Sequence, residues 1–246
     1  MNFSLPAPLW VDTADGLRRM CATLLAQPRL AVDTEANSLH AYREQVCLIQ
    51  FSIPGADYLV DPLSLHDLTP LADIFSNPAI EKVFHAAEYD LLGLHRDFDF
   101  TFVNLFDTML AARILGLKQL GLGNLLAEKF GVELDKRYQK ADWGARPLPA
   151  DLIDYARLDT HYLLALRDTL EADLRAKNLL ELAQEDFARG CYVNNGRGTV
   201  KERWERIDGQ LDLTPRGRTI LNELCLSREK LAERLNRPLF KVLDDR

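Results

Sequence analysis

The chain has 246 residues, of which 47% are hydrophobic and 27% are charged. This length and apolar content are enough for one sizeable core with a small appendage. A net charge of −7 and a pI near 5.3 argue against a protein that binds nucleic acid through general electrostatic attraction, since such proteins are normally basic. No apolar run approaches the length of a membrane-spanning helix and no signal peptide pattern opens the chain, so we expect a soluble protein.

The four cysteines show neither paired spacing nor the spacing of metal ligands; they are Cys21, Cys47, Cys191 and Cys225. This usage is typical of reduced thiols in the cytosol. We therefore expect a cytoplasmic protein.

Hydrophobic periodicity predicts an α/β fold whose strands lie mostly in the first third of the chain. Strands are predicted around Leu9 to Val11 and at 30–34, 46–53, 57–60 and 81–84, with helices at 15–27 and near 67–76. The strands at 30–34, 46–53 and 57–60 can form a meander and the later ones connect through helices, which predicts a mixed sheet flanked by helices. From residue 86 onward the chain is predicted to be mostly helical, with a long helix over 149–176 and another near 179–192.

Two acidic residues end the predicted strand at 30–34. Residues two apart on a strand share a face, so Asp33 and Glu35 point the same way, about 6–7 Å apart along the chain. This pair can hold one hard cation or two adjacent ones. The alternative is a strand end with two solvated acids before a loop.

A tyrosine and an aspartate lie one helical turn apart in the predicted helix over 149–176. Tyr155 and Asp159 are on or beside the apolar face of that helix. An unpaired carboxylate near an apolar face is costly, so Asp159 requires either a metal ion or a salt bridge. Arg157 and Arg167 are the nearby candidates for the salt bridge.

A further acid, Asp90, follows the predicted strand at 81–84 and the turn residue His85. A single acid near the start of a helix is usually a capping or dipole feature. Asp90 indicates a function only when it is considered together with Asp33, Glu35 and Asp159, as the fourth carboxylate of one set.

The order of these residues resembles the ribonuclease D family of 3′–5′ exonucleases, within the DEDD superfamily on a ribonuclease H-like fold. The motifs are Val-Asp-Thr-Glu from Val32 to Glu35, Val-Phe-His from Val83 to His85 with Asp90 downstream, and Tyr155-x-x-x-Asp159. The resemblance extends from about Ala31 to Leu170. The tyrosine four residues before Asp159 marks the tyrosine subclass, and the run from Tyr138 to Trp143 resembles the exosome-associated branch.

The resemblance implies a phosphodiesterase with two divalent cations, Mg²⁺ or Mn²⁺. Asp33, Glu35, Asp90 and Asp159 would be the metal ligands, and Tyr155 would orient the attacking water. The reaction would remove nucleoside 5′-monophosphates from the 3′ end of RNA, in the 3′ processing of tRNA and other stable RNAs or in RNA decay.

Substrate contacts are expected around the segment before Trp143. By position, Lys136 and Gln139 resemble nucleotide-contacting residues of the family, and Arg146 adds positive charge to the same rim. His85 is a further candidate, because it follows its strand directly and is placed to reach the active site. The alternative for each of these side chains is a structural or solvated role.

The predicted domains are an exonuclease domain over 1–195 with its core at 30–176, a linker over 196–212, and a helical segment over 213–246. The last segment resembles the opening of an HRDC module. Segments this short rarely fold alone, so the HRDC-like segment is expected to pack on the nuclease domain or to stay loosely ordered.

Two other functions remain open at this point. A DNA 3′–5′ exonuclease would use the same carboxylates, since sugar preference depends on contacts with the 2′-hydroxyl. An exosome-type RNA-binding scaffold would be favoured if a metal ligand were missing. All four carboxylates and the tyrosine are present, which favours the enzyme.

Overall fold

A computed structural model of the chain describes residues 5–192 and 203–245. The contacts divide the chain into two units: Met1–Ala36 with Val46–Val193, and Asn37–Gln45 with Asn194–Arg246. Residues 196–202 of the predicted linker lie outside the described residues. The predicted domain division therefore stays a prediction.

The first unit contains one six-stranded sheet with the order β1-β4-β3-β2-β5-β6. The strands are β1 (Leu9–Val11), β2 (Arg29–Ala36), β3 (Val46–Ile53), β4 (Ala56–Val60), β5 (Glu81–Phe84) and β6 (Leu105–Asp107). β2, β3 and β4 form an antiparallel meander, whereas β1 pairs parallel with β4, and β5 pairs parallel with both β2 and β6. The predicted mixed sheet is confirmed, and β2 and β5 lie at adjacent central positions.

β6 is the one strand of the described residues that the sequence did not predict. Its three residues lead directly into a helix that begins at Thr108, so they are too few to show a period of two. β6 forms because its backbone completes the parallel edge of the sheet beside β5.

The helices of the first unit are α1 (Ala14–Leu25), α2 (Ala72–Phe75), α3 (Glu88–Phe98), α4 (Thr108–Ile114), α5 (Leu122–Phe130), α6 (Ala150–His161), α7 (Leu163–Ala176) and α8 (Leu180–Gly190). The single helix predicted over 149–176 is in fact two helices, which meet at Tyr162. The reason is that they cover different surfaces: α6 packs on β2, β3 and β4, whereas α7 packs on β5, α4 and α5. Similarly, the segment near 67–76, which is predicted to be one helix, contains only a 3₁₀ turn and the short α2.

The second unit combines the loop between β2 and β3 with α9 (Pro215–Leu235). The Tyr42 hydroxyl donates to Glu229 at 2.8 Å, and Arg43 forms an ion pair with Glu233 at 2.9 Å. Thr214 caps α9 by accepting from the Gly217 amide. Within residues 5–192 and 203–245, no helix is long and apolar enough to cross a membrane.

Candidate active site

The first two carboxylates lie where the central strand β2 leaves the core. Leu30, Ala31 and Val32 are fully buried, and the side chains become half-buried from Asp33 onward. The alternation of the strand places Asp33 and Glu35 on one face, as predicted. Carboxylate oxygens of both residues and of Asp159 lie within 4.8 Å of one another.

The third carboxylate comes from α6, which packs across β2, β3 and β4. Asp159 is buried, and neither of the arginines considered as a salt-bridge partner reaches it. Arg157 lies 3.5 Å from Asp57, and Arg167 pairs with Glu81 at 2.6 Å. No cation pairs with Asp159 among the described residues, so the salt-bridge alternative is wrong.

The fourth carboxylate, Asp90, lies in the first turn of α3 and is buried. It accepts a hydrogen bond from the Thr34 hydroxyl at 2.5 Å, which ties α3 to the residue between Asp33 and Glu35. The structure therefore brings together all four carboxylates that the sequence placed in one set.

The chain turns sharply between β5 and α3 to deliver Asp90. Ala86 adopts a left-handed backbone conformation with φ = 61°. The buried Asp107 carboxylate accepts hydrogen bonds from the amides of Ala86 and Ala87 at 3.1 and 2.9 Å. It also accepts from the amides of Met109 and Leu110 and so caps α4. Asp107 thus fixes the start of two helices at once.

The four clustered acids resist ionisation because they are buried beside one another. Burial, followed by the charge of Asp90, raises the pKa of Asp33 well above its usual range, and burial followed by Asp159 does the same for Glu35. Burial raises the pKa of Asp90 to about 7, against the opposing hydrogen bond from Thr34. Burial and the charge of Asp90 raise the pKa of Asp159 to about 7. A nearby positive charge would lower the repulsion between these carboxylates.

The donor set fits a divalent cation. All the candidate ligand atoms are carboxylate oxygens, which suit hard ions such as Mg²⁺, Mn²⁺ or Ca²⁺ and lack the nitrogen and sulfur donors that favour zinc or copper. The described residues supply no arginine or lysine to neutralise Asp159. The cluster therefore has the chemistry of a cation site.

Tyr155 is held in place by aromatic packing beside the cluster. Its ring centroid lies 5.6 Å from that of Tyr138 and 6.1 Å from that of Trp143. Gln139 lines the same cavity as Tyr155. Burial, followed by the charge of Asp159, raises the pKa of Tyr155 above its usual range, so the phenol stays protonated at neutral pH. A protonated phenol can donate a hydrogen bond but does not accept a proton as a base.

A cavity of about 360 Å³ opens beside the carboxylates. Asp33, Asp159 and Tyr155 line it, together with two of the predicted substrate contacts, His85 and Gln139. The Nδ1 atom of His85 lies 2.8 Å from the Thr108 hydroxyl, and burial lowers the pKa of this imidazole, which keeps it neutral. The side chain of Lys136, the third predicted contact, lies outside the described part of the structure.

Arg146 has a structural role, in contrast to the predicted contact with substrate. Its guanidinium pairs with the buried Asp61 carboxylate at 2.9 Å from Nε and 2.7 Å from one terminal nitrogen. The remaining donors reach the carbonyls of Cys47, Trp143 and Ala145 at 2.6–2.8 Å. A contact with substrate would break one of these bonds, so Arg146 serves to anchor the segment that carries Trp143.

Sequence patterns did not reveal a second group of polar residues, which anchors α6 to the sheet. Asp57 on β4 accepts hydrogen bonds from Ser52 at 2.7 Å and from the Nδ1 atom of His161 at 2.8 Å. Ser52 also lies 2.7 Å from the Thr160 hydroxyl. Burial raises the pKa of Asp57, but these hydrogen bonds outweigh burial and hold it below its usual value. α6 carries Tyr155 and Asp159, so this group fixes their position.

We expect Asp57→Ala to lower the free energy of unfolding by about 3 kcal/mol, because it leaves Arg157 buried without its carboxylate. Denaturation in urea measures this change. The exposed Asp67→Ala serves as a matched control and should have a much smaller effect. Equal stability of the two variants would show that the Asp57 group does not hold α6.

A second prediction concerns stability against pH without metal. The folded protein holds protons on Asp90 and Asp159 up to about pH 7, whereas the unfolded chain releases them near 3.8. The folded state thus binds more protons between these values, so its stability falls as pH rises. In a chelator, the melting temperature should be lower at about pH 8 than at about pH 5.5, and this decrease should be larger in the wild type than in Asp90→Asn. Mn²⁺ should restore the melting temperature at the higher pH. An identical pH dependence in both proteins would contradict the raised pKa of Asp90.

Taken together, a mixed sheet and a cluster of carboxylates from its central strand and two flanking helices define a metal-dependent phosphodiesterase site. The chain belongs to the 3′–5′ exonuclease family, whose domain it matches over residues 8–175. Membership of this family implies dependence on divalent metal ions and confirms the predicted resemblance to the DEDD superfamily.

Relatives in both sequence and structure support the assignment. The chain is 42% identical over 243 residues to exosome complex exonuclease RRP6 of Saccharomyces cerevisiae, covering 92% of this chain and 33% of that protein. It is 41% identical over 179 residues to protein RRP6-like 3 of Arabidopsis thaliana, covering 72% of this chain and 20% of that protein. The chain thus spans a third or less of the length of these relatives.

Solved structures show the same fold. The catalytic core of RRP6 from Trypanosoma brucei superposes with a TM-score of 0.84 at 30% identity, over 100% of this chain and 69% of that one. Ribonuclease D of Escherichia coli, described as an exoribonuclease involved in structured RNA processing, superposes with a TM-score of 0.77 at 28% identity, over 98% and 64%. The predicted fold and the exosome-associated branch are confirmed.

Proposed function

We propose that this protein is a 3′–5′ exoribonuclease that removes nucleoside 5′-monophosphates from the 3′ end of RNA, with Mg²⁺ or Mn²⁺ as its cofactor. The observation that carries the proposal is the cluster of the half-buried Asp33 and Glu35 with the buried Asp159, with Asp90 bonded to Thr34 beside it. Neighbouring carboxylates with raised pKa values are typical of functional sites, and a bound cation would offset their mutual repulsion.

Each side chain has a distinct task in this reaction. Asp33, Glu35, Asp90 and Asp159 hold the cations, which when bound stabilise the charge on the phosphate and lower the pKa of water. The Tyr155 hydroxyl hydrogen-bonds the attacking water and orients it, and Gln139 lines the cavity with it. The water oxygen loses a proton to solvent and bonds to phosphorus as the bond to the 3′ oxygen breaks, and the 3′ oxygen takes up a proton from solvent. The products are a nucleoside 5′-monophosphate and a shortened strand with a free 3′-hydroxyl.

RNA is favoured over DNA as the substrate by the relatives, which include an exosome exonuclease and an exoribonuclease. The same relatives support a role in the processing of stable RNA or in RNA decay, and they make an exosome-type assembly the candidate partner. The cytoplasmic location stays a prediction.

The direct test uses 5′-labelled RNA and DNA of equal sequence with Mg²⁺ or Mn²⁺. We expect a ladder of one-nucleotide steps and mononucleotide product from RNA, faster than from DNA. Faster cleavage of DNA would replace the RNA proposal with that of a DNA exonuclease. Binding of RNA without cleavage in either metal would favour a scaffold instead.

The polarity of the reaction gives a separate prediction. A site that accepts a free 3′ end should leave circular RNA intact, whereas the linear RNA of the same sequence is degraded. Gel electrophoresis of both forms under identical conditions measures the difference. Cleavage of the circle at a comparable rate would identify an endonuclease.

A further inference from the structure

A second cavity lies on the opposite side of the first turn of α3 from the carboxylate cluster. Its volume is about 550 Å³, compared with about 360 Å³ for the active-site cavity. His85 lines the active-site cavity, and the next two residues, Ala86 and Ala87, line the second one. Asp90 is buried with the carboxylates, whereas Tyr89 lines the second cavity. The two cavities therefore lie on different sides of the first turn of α3, and an α-helix with its side chains is about 10–12 Å across.

Two exposed tyrosine side chains line this cavity. Tyr89 on α3 is 56% exposed, and Tyr192, just after α8, is 83% exposed. Leu92, on the same side of α3 as Tyr89, adds apolar surface. Exposed rings beside a nuclease site are suited to stacking with bases, since every base offers a flat face.

Two arginines and two acids line this cavity. Arg113 from α4 is exposed and has no ion-pair partner within the described residues. Arg189 from α8 pairs with Asp186 at the surface, and such exposed pairs are weak and open readily. Of the acids in the lining, Asp107 is fully engaged by four backbone amides, which leaves Glu88 as the exposed one. Arg113 and Arg189 therefore stand beside one exposed acid, Glu88, and both guanidinium groups can contact phosphates.

We propose that this cavity binds the upstream nucleotides of a single-stranded RNA whose 3′ end occupies the active site. Bases stack on Tyr89 and Tyr192, and phosphates contact Arg113 and Arg189. Because the RNA passes around the helix, one helix width is a lower limit for its path and corresponds to at least about three stacked nucleotide steps of ~3.4 Å each. A dinucleotide therefore does not reach the cavity, whereas a longer RNA does. This inference rests on the proposed function and extends it to the path of the substrate.

The test measures RNA affinity against length in Ca²⁺, with single-turnover rates in Mg²⁺ measured separately. The double variant Tyr89→Ala/Tyr192→Ala should lose the gain in affinity between a dinucleotide and a hexanucleotide, a loss of about 5- to 100-fold. The double variant Arg113→Gln/Arg189→Gln should reduce the slope of log affinity against log salt for the hexanucleotide by about 0.7 for each phosphate contact removed. Arg18→Gln on α1 and Leu182→Ala on α8 are exposed controls of matched kind.

The outcomes separate this inference from the proposed function. If the wild type neither binds nor cleaves RNA, the proposed function fails and the inference fails with it. If the wild type cleaves RNA and the variants keep both the length dependence and the salt slope, the inference alone is overturned, and the cavity is left as a surface for a protein partner. Melting temperatures equal to that of the wild type exclude unfolding as the cause of any loss.

Discussion

Asp33→Asn is expected to reduce hydrolysis by at least about 10³-fold, equivalent to ~4 kcal/mol of transition-state stabilisation, while the protein stays folded. Asp33 shares the 4.8 Å cluster with Glu35 and Asp159, so removing its charge removes a ligand of the cation site. Single-turnover cleavage of a 5′-labelled RNA in Mg²⁺ measures the loss. Asp159→Asn should behave in the same way.

The same substitution should have the opposite effect on stability without metal. Burial and the charge of Asp90 raise the pKa of Asp33, so the carboxylate is unfavourable in the folded state when no cation is bound. Asparagine removes this charge, and the free energy of unfolding in a chelator at neutral pH should rise or stay level. Asp15→Asn, an exposed residue of α1, controls for a general effect of charge. An Asp33→Asn protein with wild-type turnover would remove Asp33 from the site.

Tyr155→Phe is expected to lower kcat by about 10²-fold or more with little change in metal affinity or KM. Phenylalanine keeps the ring that packs between Tyr138 and Trp143 and deletes only the hydroxyl. That hydroxyl remains protonated at neutral pH, and we propose that it positions the attacking water. Single-turnover rates, with binding measured separately in Ca²⁺, distinguish the two effects.

A comparison of two variants tells positioning from packing at Tyr155. If the ring alone matters, Tyr155→Phe cleaves normally and Tyr155→Ala loses activity through unfolding. If the hydroxyl matters, Tyr155→Phe loses turnover with an unchanged melting temperature. A normal chemical step in Tyr155→Phe would reduce Tyr155 to a core residue.

Local patterns predicted the parts of the fold that are long and regular. β3 and β5 have the predicted limits because an apolar run bounded by turns marks each strand. β6 was missed because three residues carry no period, and the break at Tyr162 was missed because it depends on which surfaces α6 and α7 cover. Both features are decided by tertiary packing, which a single sequence does not display.

The carboxylates were predictable as a set because their spacing follows the period of the element that carries each pair. Asp33 and Glu35 follow the strand period, and Tyr155 and Asp159 follow the helical turn. Their convergence was inferred from the family resemblance, and the structure shows it directly.

The supporting residues could not be predicted in this way. Asp57, Asp107 and Thr34 each have a partner between 21 and 104 residues away, and such contacts leave no local pattern. The structural role of Arg146 could not be predicted for the same reason. A basic residue near a nuclease site suggests a phosphate contact, whereas Arg146 pairs with Asp61, which lies 85 residues earlier.

The location of bound Mn²⁺ tests the central claim most directly, because the claim is that four carboxylates from β2, α3 and α6 form the cation site. Anomalous diffraction from crystals of the protein grown with Mn²⁺ would locate the ion. The prediction is anomalous density in contact with Asp33, Glu35 and Asp159, which is lost in Asp159→Asn. Manganese bound only elsewhere, in crystals of a preparation that degrades RNA, would contradict the assignment of this cluster as the active site.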